Sequence, residues 1–91
     1  MNVPTITNID TAISIYYTHS ELGNKEILTL FGRLSPVTIA RLKKEVKAKM
    51  NEEQVCSYGI NRINTEIAFK LWGIDVKRLE ANRKKLKELE L

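Results

Sequence analysis

The sequence predicts an all-α protein of about five short helices, and three observations support that fold class. The 91-residue chain contains only two prolines and four glycines. Its second half is rich in Lys, Glu, Leu, Arg and Ala, which favour helices. Capping residues followed by apolar side chains at helical spacing recur along the chain. We therefore expect one helical domain over residues 1–91, with a helix-turn-helix at about 24–50, a C-terminal helix pair at about 64–90, and little or no sheet.

The predicted first helix starts at Asp10, because a carboxylate can accept hydrogen bonds from the unpaired N–H groups at a helix N-terminus. Ile13, Tyr16 and Tyr17 follow at helical spacing. The two tyrosines are adjacent, so we expect one ring to pack inside while the other reaches solvent. Residues 20–24 include Ser, Gly and Asn, which predict a turn.

Asn24 is predicted to cap a short second helix that ends at Gly32, where glycine allows the backbone to leave the helix. Ser35 is then placed as the N-cap of a third helix. Pro36 is its first residue, since the N–H that proline lacks would have no partner there. We expect this helix to run to about Met50. The side chains of the second helix that are expected to face inward are Ile27, Leu28, Leu30 and Phe31.

Helical periodicity divides the third helix into an apolar stripe and a polar face. At about 100° per residue, one side of the helix carries Ile39, Leu42, Val46 and Met50. We expect that stripe to join the core. The opposite side, which is expected to face outward, carries Val37, Arg41, Lys44 and Ala48.

Positive charge is concentrated in the same helix. The chain has 15 Lys and Arg against 11 Asp and Glu, for a formal net charge of +4 and a pI near 9.3. Residues 1–32 carry one cation, Lys25, and three acids, Asp10, Glu21 and Glu26, whereas residues 33–49 carry six cations. A basic helix face is typical of proteins that bind polyanions such as nucleic acids.

Two segments, residues 25–32 and 38–42, resemble the helix-turn-helix family, and more narrowly the small DNA-binding proteins of phages and mobile elements. The resemblance implies that the second helix of the pair enters the major groove of double-stranded DNA. The sequence departs from the family pattern at Leu28, where a small residue is usual, and in a turn that is one residue longer. Both departures bear on the angle at which the two helices cross.

In this family, early outward residues of the second helix contact base edges and neighbouring basic groups contact phosphates. We expect Arg41 to donate twice to a guanine, because a guanidinium matches guanine O6 and N7. Thr38 and Val37 are predicted to contact a thymine methyl group, and Ser35 a phosphate. The remaining predicted DNA contacts are Lys44 on the outward face and, at its edges, Arg33, Lys43 and Lys47. A solvated face that only keeps the protein soluble is the simpler interpretation of the same lysines.

The second half of the chain repeats the pattern of the first. The segment Asn24-Lys-Glu-Ile…Leu-Phe-Gly32 is similar to Asn64-Thr-Glu-Ile…Leu-Trp-Gly73, with one extra residue in the second copy and a basic amphipathic helix after each. Internal duplication and two unrelated capped helices are both compatible with this similarity. Asn64 or Thr65 is predicted to cap the fourth helix, and Asp75 to begin the fifth. Residues 51–62 between the halves are predicted to form a loop.

The fifth helix carries Val76, Leu79, Leu86 and Leu89 along one side, and three interpretations stay open. The leucines can pack on the core, pair with the same helix of another copy, or leave the basic side to contact phosphates. Core packing is favoured, because two heptads are marginal for a stable coiled coil. A homodimer is the next expectation, since one short recognition helix seldom provides enough specific contact.

The sequence shows no glycine-rich phosphate loop, nucleophile motif or cluster with metal-ligand spacing. We therefore expect no enzyme activity, cofactor, metal or small-molecule substrate. Cys56 is the single cysteine, which excludes an internal disulfide and indicates a reducing compartment. No apolar run approaches the roughly 20 residues that cross a bilayer, and the N-terminus lacks a signal-peptide pattern. These features predict a cytoplasmic protein without a membrane partner.

The sequence thus predicts a small helical protein that binds double-stranded DNA as a homodimer. We expect it to act as a transcriptional regulator or accessory factor of a phage or bacterium. The alternative is a protein-interaction or assembly module, for example an oligomer of the phage packaging type, whose basic helices bind an acidic partner.

Overall fold

The computed structural model describes residues 3–56, 59 and 61–89, and this part of the chain forms five α-helices and two very short strands. The all-α prediction is confirmed, with a small sheet added. In chain order the elements are α1 (Ile9–Thr18), β1 (Glu21–Leu22), α2 (Asn24–Phe31), α3 (Pro36–Glu52), β2 (Ile63–Asn64), α4 (Thr65–Leu71) and α5 (Val76–Leu89).

The two strands join the halves of the chain. They pair antiparallel, with Glu21 opposite Asn64 and Leu22 opposite Ile63. Leu22 and Ile63 are both fully buried, so the sheet contributes side chains to the core as well as backbone hydrogen bonds. Strands of two residues are too short to show a period-two pattern, so no sequence pattern predicts them.

One cluster of buried apolar side chains draws members from every helix and from both strands. α1 packs on α5, α2 and α4, while α3 packs on α4 and β2. α2 and α3 follow one another in the chain, yet they are not among the closely packed pairs of elements. The largest fully buried apolar side chains are Leu22, Ile27, Leu30, Leu42, Val46, Ile63 and Phe69.

The starts of α1 and α2 differ from the predictions by one or two residues. Asn8 caps α1, because its backbone is extended and its side chain accepts a hydrogen bond from the Thr11 N–H. The prediction that Asp10 is the cap is wrong, since Asp10 already lies in the first turn. Gly23, not Asn24, is the N-cap of α2, and its N–H donates to Glu26 Oε1 at 2.8 Å.

The start of α3 is as predicted. Ser35 is the N-cap, its hydroxyl oxygen accepts from the Thr38 N–H at 3.2 Å, and Pro36 is the first helical residue. The helix continues to Glu52, so the first two residues of the predicted loop 51–62 are helical. Ser57, Tyr58 and Ile60 of that loop lie outside the described residues.

The inward faces are confirmed for α3 and only partly for α2. Ile39, Leu42, Val46 and Met50 are all buried, as the periodicity predicts. Leu28 was expected inside, but 39% of its surface is exposed. Leu28 instead lines an open groove together with Pro36, Ile39 and Ala40 of α3.

The second helix pair begins and ends where polar and glycine signals predict. Asn64 is the N-cap of α4, because its Oδ1 accepts from the Ile67 N–H at 2.9 Å. Gly73 follows the helix with a positive φ of 74°. Asp75 Oδ1 accepts from the Arg78 N–H at 3.3 Å, which satisfies a free donor at the start of α5.

The apolar stripe of α5 is buried only at its beginning. Val76 is buried and Leu79 partly so, but Leu86 is 53% exposed and Leu89 79% exposed. The expectation that all four residues pack on the core is therefore wrong for the last two. α1 is the helix that covers α5, and Asp10 near its start lies against Arg83. Because α1 begins at Ile9, it does not extend far enough to cover the later part of α5.

The adjacent tyrosines of α1 divide their roles as predicted. The Tyr16 ring packs on Phe69, with 5.2 Å between ring centroids. Tyr17 is 63% exposed, and its hydroxyl donates to the Glu80 carboxylate of α5. That hydrogen bond is the main cause of the raised pKa of Tyr17. Among the residues that the structure describes, no helix combines the length and apolar character needed to cross a bilayer.

Candidate nucleic-acid interface

The buried stripe of α3 fixes which side chains the helix turns outward. With four apolar residues held in the core, the opposite face carries Val37, Arg41, Lys44 and Ala48, all of them exposed. Val37 is 79% exposed. The outward orientation predicted for Arg41 and Lys44 is confirmed.

A groove of about 540 Å³, which we call the α3 groove, runs along one flank of α3 beside the start of α2. Its apolar part consists of Leu28, Pro36, Ile39 and Ala40, and its polar part of two asparagines and three lysines. Among the described residues, those lining the groove include no carboxylate. The polar members are Asn24, Asn61, Lys43, Lys44 and Lys47.

Lys43 is the most enclosed of these cations. Its Nζ donates to Asn24 Oδ1 at 2.8 Å, which joins α3 to the first residue of α2. Burial lowers the pKa of Lys43, and the positive charges of Lys47 and Arg62 act in the same direction. An anion placed in the α3 groove would relieve this repulsion, because it would stabilise the charged form of each lysine.

Glu45 and Glu26, on the two helices that border the α3 groove, are not among its lining residues. Glu45 on α3 lies two residues from Lys47, which places the two side chains about 160° apart around the helix. Glu26 accepts a hydrogen bond from the Gly23 N–H and lies 3.8 Å from the Arg62 guanidinium. The flank of α3 that carries the groove is therefore positive without a neutralising partner inside it.

The eight predicted contact residues fall into four places. Lys43, Lys44 and Lys47 come together in the α3 groove, and Val37 and Arg41 lie on the adjoining outward face. Ser35 and Thr38 sit at the helix start, where their hydroxyl oxygens are 2.9 Å apart and Ser35 also caps the backbone. Arg33 is exposed in the link between α2 and α3.

Three residues from outside α3 line the groove, and none of them was predicted to belong to the site. Asn24 was assigned to a helix cap, Leu28 to the core and Asn61 to a loop, whereas all three line the groove. Asn61 has a positive φ of 61°, a conformation in which asparagine is enriched. No local sequence signal connects residue 61 with residue 43, because the end of that loop reaches α3 through the packing of β2 on α3.

Comparisons of the chain with protein-family models, with curated proteins and with solved structures give no match. The candidate interface is therefore defined by its own geometry. Within the described part of the chain, no group of three or more His, Cys, Asp or Glu side chains is arranged to hold a metal ion.

Proposed function

We propose that this protein binds double-stranded DNA through α3, with the α3 groove and the adjoining outward face as the contact surface. The observation that carries the proposal is the group of three lysines in a groove that no described carboxylate lines. Lysines that neutralise backbone phosphates release condensed counterions, which drives binding to any DNA sequence. The helix-turn-helix resemblance of the sequence supports the same partner.

The side chains have separate roles in this proposal. Lys43, Lys44 and Lys47 contact phosphates, and Arg33 does the same from the link before α3. Arg41 donates to a guanine in the major groove, while Val37 contacts a thymine methyl group. Ser35 and Thr38 hold the start of α3 through the N-cap, so we assign their main contribution to positioning the helix.

The proposed partner makes the protein a small regulator or accessory factor that acts on DNA in the cytoplasm. α2 does not pack closely on α3. We therefore assign the phosphate contacts to the lysines of α3 itself, in place of the first helix that crosses the backbone in a standard helix-turn-helix.

Fluorescence anisotropy on a random-sequence duplex, titrated at several KCl concentrations, tests the phosphate contacts. A Lys44→Ala/Lys47→Ala variant should lower the slope of log affinity against log salt by about 1.8, at about 0.9 per lost phosphate contact. The matched control is Lys49→Ala/Lys70→Ala, which removes two lysines outside the α3 groove, one of them paired with Glu52. Equal losses in both variants would show that net charge, and not the α3 groove, binds DNA.

A second measurement tests base recognition by Arg41. Selection of bound sites from random duplexes should give a preferred sequence, and Arg41→Ala should weaken binding to it by about 1–3 kcal/mol. Binding to unrelated sequences should change much less. An Arg41→Ala protein that keeps the full preference for the selected site would remove Arg41 from the base-reading role.

A second candidate function is a protein-interaction or assembly module, and the observation that favours it is the exposed pair Leu86 and Leu89 on α5. Apolar side chains one turn apart on an uncovered helix end can join another copy or a partner helix. Analytical ultracentrifugation with and without DNA separates the candidates. A large oligomer that retains no DNA at low salt supports the assembly module. A monomer or dimer that retains DNA supports the first proposal.

A further inference from the structure

The structure contains two copies of a unit in which a short strand is followed by a helix and then by a glycine. The first copy consists of β1, α2 and Gly32, and the second of β2, α4 and Gly73. The N-caps Gly23 and Asn64 are 41 residues apart, and the same spacing separates Gly32 from Gly73. Both of these glycines have positive φ, 85° and 74°. The units therefore align without an insertion. The extra residue predicted in the second copy resulted from matching Asn24, which is not a cap, with Asn64.

Equivalent residues of the two units contact each other. Leu22 pairs with Ile63 across the sheet, and these residues are also 41 apart. Phe31 and Trp72, again 41 apart, stack edge to face with 5.2 Å between ring centroids. Self-pairing of equivalent positions is what an approximate two-fold axis between the units produces. This arrangement favours internal duplication over two unrelated helices.

The basic residues of α3 recur in α5 when each helix is counted from its N-cap. Ser35 caps α3 and Asp75 caps α5. Cations lie 8, 9 and 12 residues after each cap. In α3 these are the groove lysines Lys43, Lys44 and Lys47, and in α5 they are Arg83, Lys84 and Lys87. The base-reading position does not recur, because Ala81 stands where α3 has Arg41.

The three cations of α5 also line one concave surface. Lys77, Glu80, Ala81, Arg83, Lys84 and Lys87 surround a shallow depression of about 470 Å³, which we call the α5 depression. Arg83 is held by Asp10 at 3.1 Å, and the Glu80 carboxylate accepts a hydrogen bond from the Tyr17 hydroxyl. Lys84 and Lys87 are exposed, and no described carboxylate forms an ion pair with either.

The two helices pack differently, which limits what the repeat implies. α3 lies on α4 and β2, whereas α5 lies on α1. The repeat therefore concerns the charge pattern and the unit that precedes it, and not an identical docking of both helices.

We propose that α5 is a second DNA-contacting helix, in which Lys84 and Lys87 bind backbone phosphates without reading bases. This inference rests on the proposed function of α3. Charge complementarity selects the partner, because two exposed lysines at the spacing of the α3 groove match a polyanion. The absence of an arginine at the position of Ala81 restricts α5 to sequence-independent contacts.

The test uses the full chain and a random-sequence duplex, with the salt slope as the readout. Lys84→Ala/Lys87→Ala should lower the slope by about 1.8. It should weaken binding to the selected site and to random DNA by the same factor, so that the sequence preference is unchanged. The single variants Lys87→Ala and Lys85→Ala form a matched pair. Each removes one exposed lysine of α5, but the two side chains point about 160° apart and Lys85 lies outside the α5 depression.

Each outcome decides a separate point. An unchanged slope in Lys84→Ala/Lys87→Ala, together with a lowered slope in Lys44→Ala/Lys47→Ala, overturns the role of α5 and leaves that of α3. Equal effects of Lys85→Ala and Lys87→Ala also overturn it, because net charge would then explain both. A wild-type protein that binds no duplex overturns both proposals. All substituted lysines are exposed, and circular dichroism verifies that the variants remain folded.

Discussion

α3 and α5 have similar local sequence signals, but the fold buries a much larger part of α3 than of α5. Both begin at a polar N-cap after a glycine of positive φ, and both are basic. α3 buries four apolar side chains along its length, whereas Val76 is the buried residue of α5 within its described part. The difference shows that an amphipathic pattern indicates which side chains a helix can bury, whereas the neighbouring elements decide how many of those side chains are buried.

The elements that pack on each helix account for this difference in burial. α3 packs across α4 and β2, so that buried positions extend from Ile39 to Met50. α5 has α1 as its main neighbour, and the cover ends near the ion pair between Asp10 and Arg83. A helix anchored along its length is suited to hold base-reading side chains in fixed positions, and a helix anchored at one end is suited to contacts that tolerate movement.

The largest expected effect compares leucines of the two helices. Leu42→Ala removes a fully buried side chain of α3 and should lower the free energy of unfolding by about 2–5 kcal/mol. Leu86→Ala removes an exposed side chain of α5 and should change it by less than about 0.5 kcal/mol. Urea denaturation measures both. A loss at Leu86 close to that at Leu42 would mean that the end of α5 is covered in solution, by another copy or by the chain itself.

The next comparison concerns the two glycines that precede these helices. Gly32 has φ 85° and ψ −157°, a region that other residues rarely occupy, and a Cβ there would lie 3.1 Å from Thr7 Cγ2. Gly32→Ala should therefore cost about 1–3 kcal/mol. At Gly73 a Cβ would meet nothing within 4 Å, so Gly73→Ala should cost about 1–2 kcal/mol from the backbone conformation alone. Thermal unfolding of both variants shows which substitution destabilises the protein more. A larger loss of stability for Gly73→Ala than for Gly32→Ala would contradict the prediction.

The smallest effect tests what anchors α5. Arg83→Gln breaks the exposed ion pair with Asp10 and should cost about 0.2–1 kcal/mol at low salt. The loss should shrink in 1 M KCl, because salt screens exposed charges. Lys85→Gln, on the same helix and exposed, is the control and should have no such salt-dependent cost. An Arg83→Gln loss that is the same at both salt concentrations would indicate packing of the arginine stem as the cause.

Much of the candidate site could be predicted because its signals are local. Ser35 and Pro36 mark the start of α3 within two residues, and the period of Ile39, Leu42 and Val46 fixes the outward face. The α3 groove could not be predicted in full. Its remaining wall is formed by Asn24, Leu28 and Asn61, and these residues reach α3 only through the tertiary structure.

The sequence by itself determined the helical class, the caps at Ser35 and Asp75, and the outward orientation of the α3 cations. These features depend on hydrogen bonds and periodicities that span a few residues. The tertiary structure decided the pairing of Leu22 with Ile63, the exposure of Leu28 and Leu86, and the members of the α3 groove. Such features depend on which distant elements pack together, and the free energy of that packing belongs to the whole core and not to any single segment.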